Sequence, residues 1–101
     1  MKVVIGGTVR IPLENVPHMR PHMDAMLAAS RAEDGCETYS YAMDVQDPGL
    51  MRAFEVWRDR PAIEAHFKAS HMAPWRAAGV EYGLFDRKIS LYEVASETVL
   101  A

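Results

Sequence analysis

Cysteine is almost missing from this chain: Cys36 is the only one in 101 residues. No intrachain disulfide can form, so a reducing, cytoplasmic setting is the natural expectation. Long apolar runs are missing too. The N-terminal MKVVIGGTVRIP is too short and too interrupted for a signal or membrane-spanning segment, which argues against a membrane partner. Nor is there an excess of basic charge. Eleven Lys and Arg against fourteen Asp and Glu leave a formal charge of −3, which gives no electrostatic footprint for nucleic acid or an anionic membrane. There is no solenoid-type repeat, no low-complexity stretch and no GxGxxG loop, which sets aside repeat arrays and dinucleotide binding. No Ser/His/Asp or Cys/His spacing suggests nucleophilic catalysis.

What remains has the make-up of a globular protein, half hydrophobic and a quarter charged. Residues 1–101 are expected to form a single domain with one modest core. Seven methionines can fill gaps in that core or line an adaptable pocket. Val3 to Ile11 alternates as a strand interrupted by Gly6 and Gly7, a pair that suggests a bulge or the close approach of another body. Met19, Met23, Met26, Leu27 and Ser30 fall at helical spacing, and Pro21 places the regular helix from about Pro21 to Ala32. His18 and His22 stand four apart, but with a proline between them and no third donor nearby they read as a solvated helix face, so no metal site is expected.

Asp34-Gly35 ends the helix, with Gly35 in the left-handed cap position. Cys36 to Val45 then alternates as a strand, with Glu37, Tyr39, Tyr41 and Met43 on one face. Asp47-Pro48-Gly49 marks a turn, and Leu50 to Trp57 forms the second arm of a hairpin with Met51, Ala53, Glu55 and Trp57 on one face. Asp59 or Arg60 caps a helix that begins at Pro61 and carries Ala62, Ile63, His66 and Phe67 on its apolar stripe. Ser70 is the expected cap of a further short helix that stops at Gly79. Tyr82 to Phe85 reads as a loop and Arg87 to Ala95 as the last strand.

The order strand, helix, strand, strand, helix, strand predicts an α+β fold of ferredoxin-like type, a four-stranded antiparallel sheet with helices on one face. Apolar side chains occur on both faces of the strands. The face without helices would be an exposed patch in a monomer, so a homodimer joined sheet to sheet is expected.

The run RAEDGCETYSY, followed by DVQDPGLMRAFEVWRDRPAIEAHFKASHM, resembles the antibiotic biosynthesis monooxygenase family, which includes quinol monooxygenases. The features that carry the resemblance are Gly35-Cys36 with Tyr39, the Asp47-Pro48-Gly49 turn, Glu55-x-Trp57, Ala65-His66-Phe67 and His71, and they span about residues 19–93. The resemblance implies a dimeric α+β barrel. It also implies chemistry that ranges from cofactor-independent oxidation of phenols and quinols to haem degradation and sugar-phosphate isomerisation. The haem-degrading branch requires an asparagine on the first strand, a tryptophan on the helix after Glu-x-Trp and a histidine ligand beyond it. This chain has Gly6, Gly7 and Thr8, then His66, then Arg76 at those places, which argues against haem, and no cofactor is expected.

Cofactor-free oxygenation needs a base that titrates near neutral pH, donors for a developing oxyanion and an apolar enclosure. Within Ala53–Trp75 the base is His66 or His71, although His66 can equally be a buried structural histidine held by Glu55 or by backbone. Trp57 offers an aromatic wall, Tyr39 or Tyr41 a hydroxyl, Trp75 a cover and Arg76 a cation; Glu55 is expected to orient His66. The expected activity is oxidation of a small aromatic or quinol-like substrate by molecular oxygen. The rivals are an isomerase or lyase acting on a small carbonyl compound, and a non-catalytic ligand-binding, stress-related dimer.

Overall fold

The computed structural model describes residues 1–101. They form β1 (Val3–Arg10), a 3-10 turn (Leu13–Asn15), α1 (Val16–Arg31), β2 (Cys36–Met43), β3 (Leu50–Trp57), α2 (Arg60–Phe67), α3 (Met72–Glu81) and β4 (Phe85–Glu93). The strands make one antiparallel sheet in the order β2-β3-β1-β4, the ferredoxin-like arrangement expected from the periodicities. Because side chains alternate along a strand, Val3, Ile5 and Val9 of β1 face the helices together with Met51, Ala53, Glu55 and Trp57 of β3, and all of these are buried. Register ties the two sets: Val3 lies opposite Trp57, Ile5 opposite Glu55 and Val9 opposite Met51. One core cluster gathers Val3, Met26, Tyr39, Trp57 and Ile63; a second gathers Ile11, Met19, Met23 and Met51. Each large side chain buried in this way contributes roughly 1.5–3 kcal/mol.

Several boundaries differ from the sequence expectation, each for a physical reason. Helix α1 starts at Val16, with Pro17 in the first turn and Pro21 inside it. The interior proline removes one backbone hydrogen bond, at a cost of about 3 kcal/mol. Met19, fully buried on the N-terminal side of that proline, anchors the early turn against the core. On β2 the pairing shifts between Cys36 and Thr38. This bulge turns Glu37 out to solvent, where it meets Lys2 at 3.0 Å, and brings Cys36 onto the core side beside Tyr39. The expected sharing of a face by Glu37 and Tyr39 is therefore corrected.

Asp59, rather than Arg60, caps α2, its carboxylate accepting from the Ala62 amide at 3.0 Å. The α3 cap is His71, one residue beyond the expected Ser70. The helix passes through Gly79 and stops at Tyr82-Gly83, where Gly83 has φ 74°. Gly79 lies inside the helix beside β4, where a Cβ would stand 3.0 Å from the mobile end of Arg87. Phe85, expected in a loop, opens β4 instead. At Gly7 the other body is β4 itself, since a Cβ would stand 2.0 Å from the Lys88 carbonyl oxygen. No helix is long and apolar enough to cross a membrane.

Candidate functional site

Besides two open hollows of about 280 and 260 Å³ with mostly polar linings, two have mainly apolar linings. A groove of about 390 Å³ runs between α1 and the β2 edge, lined by Val16, Met23, Leu27 and Met43 with Arg20 and Asp24. Those two charges pair with each other at 3.1 Å in solvent, and the one other polar side chain of the groove, Tyr41, also lines the second hollow. The second, about 180 Å³, lies between the sheet and α2–α3 and carries both apolar walls and convergent polar groups. That combination marks it as the candidate site.

Its floor is the inward face of the sheet, Ile5, Val9, Met51, Ala53 and Glu55, and its roof includes His66, Met72 and Trp75. Three of the seven methionines, Met26, Met51 and Met72, line it. Tyr39 and Tyr41 enter from β2, their hydroxyls 2.9 Å apart, and Tyr41 stacks on Trp75 with ring centroids 5.2 Å apart and planes within 16°. Consecutive inward positions on one strand bring the two tyrosines together. Burial pushes both phenols well above the ordinary tyrosine range, so they stay protonated and can donate.

Glu55 is carried inward between Ala53 and Trp57 and is 7% exposed. Its Oε1 accepts from the Trp57 indole N–H at 2.9 Å. Burial raises its pKa from 4.5 to about 7; the indole bond opposes that rise and the charge of Glu33 adds to it. Trp57 itself is fully buried beneath the site, its ring 4.6 Å from that of His66.

The expected partnership of Glu55 with His66 is corrected here. His66, 2% exposed at the end of α2, places Nδ1 2.5 Å from Oε2 of Glu33. His71 places Nε2 2.9 Å from the same oxygen. Glu33 lies in the turn between α1 and β2, where the chain passes under α2, whereas the Glu55 carboxyl is already held by the indole on its own strand. His66 lines the cavity with Nε2 as its free ring nitrogen. His71 stands behind Glu33, outside the cavity wall. Arg76 is exposed on α3 and does not line the cavity, whereas Arg87 of β4 does. Cys36 takes no part in the cavity, and burial raises its thiol above the ordinary range, which makes it a weak nucleophile.

Glu33 and Arg87 are the two cluster residues that sequence reasoning missed. Neither sits in a local motif. Glu33 is remote along the chain from both histidines, and only the packing of the α1 end against α2 joins them.

Comparison with known proteins places this geometry in context. The family model described as "Antibiotic biosynthesis monooxygenase" matches residues 2–78. The uncharacterized protein sll1783 of Synechocystis is 24% identical over 98 residues, which is 97% of this chain and 67% of that protein. "Putative monooxygenase Rv0793" of Mycobacterium tuberculosis is 37% identical over 59 residues, 58% of this chain and 57% of that protein. A solved structure from Deinococcus radiodurans, a "putative antibiotic biosynthesis monooxygenase", superposes with a TM-score of 0.90 at 26% identity, covering 98% of both chains.

Proposed function

This chain belongs to the antibiotic biosynthesis monooxygenase family, and we propose that it oxidises a small phenol or quinol with molecular oxygen, without a cofactor, in the cavity between the sheet and α2–α3. The observation that carries this reading is the Glu33–His66 pair at the edge of an aromatic-walled cavity. An ionised carboxylate oxygen only accepts, so the ring bonded to it carries its proton on Nδ1. Nε2 then holds a lone pair on the free side of a ring that lines the cavity, the tautomer control familiar from hydrolase triads. The size fits one aromatic ring, since a cavity of about 150 Å³ already takes benzene.

In this mechanism His66 Nε2 removes the hydroxyl proton of the bound quinol. The electron-rich anion passes one electron to oxygen, and the radical pair joins as a ring hydroperoxide. Breaking the O–O bond leaves one oxygen on the ring and releases the other as water. Quinol plus O2 thus becomes hydroxylated quinone plus water, with no external reductant. The tyrosine that accepts in the Tyr39–Tyr41 bond donates its own O–H to the developing oxyanion, Arg87 supplies a cation, and Glu55 in its neutral form protonates the departing oxygen. His71 is a positioning residue that holds Glu33.

The test is oxygen uptake with a panel of hydroquinones and phenols. Wild-type turnover is expected, with kcat lowered about 10²–10⁴-fold by His66→Ala. No uptake under air, while a non-redox substrate is converted, sinks the oxygenase reading. One geometric feature favours a second reading: His66 and a Glu55 that titrates near 7 also form an acid–base pair for isomerising a small carbonyl compound. A reaction indifferent to oxygen would select it. If His66→Ala and His71→Ala leave every activity intact, the cavity binds without reacting.

A further inference from the structure

The Glu33–His66–His71 cluster has a property that base catalysis does not use. A carboxylate oxygen and two imidazole nitrogens, drawn from three separate segments, all lie within 4.8 Å of one another. We propose that this cluster binds one first-row divalent cation of the Zn2+ type through Glu33, His66 Nδ1 and His71 Nε2, and that occupation silences His66 as a base.

Two histidines and a carboxylate with open positions are the donor set of many zinc sites and of the 2-His-1-carboxylate iron sites. Surface clusters of these residue types are common, but this one is built. His66 is 2% exposed in its side chain, and Glu33 and His71 are 17% and 21% exposed, so the donors are held by packing while an entry path remains. Both nitrogens already point at a single carboxylate oxygen, at 2.5 and 2.9 Å, where the two N–H protons occupy the place a cation would take. Coordination at about 2.0–2.1 Å would need the donors to spread to about 3.3 Å. Glu33 lies in a turn outside any helix or strand, which lets its side chain withdraw by that amount.

Coordination moves protons without losing any. A cation on Nδ1 leaves the neutral His66 ring protonated on Nε2, the nitrogen assigned above as the base, and the lone pair needed to accept a substrate proton is gone. The same shift in His71 moves its proton to Nδ1. The silencing rests on the function proposed above; the binding does not.

The experiment is a titration of the metal-free protein with Co2+, followed by visible d–d absorption and by thermal unfolding. Expected are bands that saturate at one ion per chain, a higher Tm, and loss of both in Glu33→Gln and in His71→Ala, at two partly exposed positions, with affinity down at least about tenfold. The His18→Ala/His22→Ala double variant must keep full affinity, because that pair, four residues apart on α1, is the competing surface site. Absence of saturable binding, or bands that follow His18 and His22, overturns the site. Zn2+ bound at the cluster with quinol-dependent oxygen uptake unchanged overturns the silencing. If the metal-free protein consumes no oxygen with any quinol, the oxygenase reading has failed, and the Co2+ arm still decides the site.

Discussion

Glu55 is buried because its backbone neighbours are: Ala53 and Trp57 turn inward on β3, and a residue between them in the period-two alternation must follow. Its one strong partner is the Trp57 indole, so the carboxyl is desolvated without a cation to hold its charge. The folded pKa of about 7 stands above the ordinary 4.5. Between these values the folded chain keeps a proton that the unfolded chain releases, so stability falls as pH rises from about 4.5 through 7 and is level above it. The full difference is about 3 kcal/mol. Glu55→Gln keeps an acceptor for the indole and removes the ionisation. Urea unfolding from pH 5 to 8 is expected to show this decline in the wild type and a flatter profile in the variant. Equal slopes would place the burial cost elsewhere.

At the scale of elements, β1 and β4 pair closely because Gly7 has no side chain. A methyl there meets the Lys88 carbonyl, whereas at Gly6 a methyl has nothing within 4 Å. Gly7→Ala is expected to destabilise by at least about 2 kcal/mol and to strip hydrogen-exchange protection from the β4 amides, while Gly6→Ala leaves that protection in place. Protection unchanged in Gly7→Ala would mean the pairing accommodates the methyl, against the close approach seen at Lys88. The same contrast shows what a one-dimensional pattern can carry. Element order and the inward set Met51, Ala53, Glu55 and Trp57 follow from local periodicity, and so are legible; Gly35 does take a left-handed φ of 84°, but in the turn before β2, since α1 already ends at Arg31 with Ala32 as its cap. The β2 bulge was not, because alternation across Glu37 looks regular until pairing with β3 fixes the register. Glu33 was missed because its relation to His66 and His71 exists only once α1 and α2 pack. Arg76, the cation expected from the sequence, is turned to solvent on α3, and Arg87 of β4 lines the cavity instead.

For the whole molecule, the question is what covers the sheet face that carries no helix. Register sets out two rows across it: Tyr92, Val4, Val56 and Thr38, then Ser90, Gly6, Phe54 and Ser40. Phe54 is 48% exposed and Tyr92 57%, and the next row, Lys88, Thr8, Arg52 and Ala42, begins a charged rim. An apolar centre with a polar border is the anatomy of an interface, and the empty space above Gly6, beside Phe54, leaves room for a side chain from another copy. We therefore expect two chains to join through this face, as the sequence patterning and the family resemblance also imply. Sedimentation at micromolar concentration should give twice the 11.3 kDa chain mass. Phe54→Glu places an unpaired charge at the centre of the contact, a change that costs several kcal/mol when a buried charge lacks a partner. The variant should sediment as a monomer while its far-UV circular dichroism stays that of the wild type, because Phe54 points away from the core that holds Trp57 and Ile63. A wild-type mass of one chain, or a Phe54→Glu protein that still pairs, would move the interface off this face.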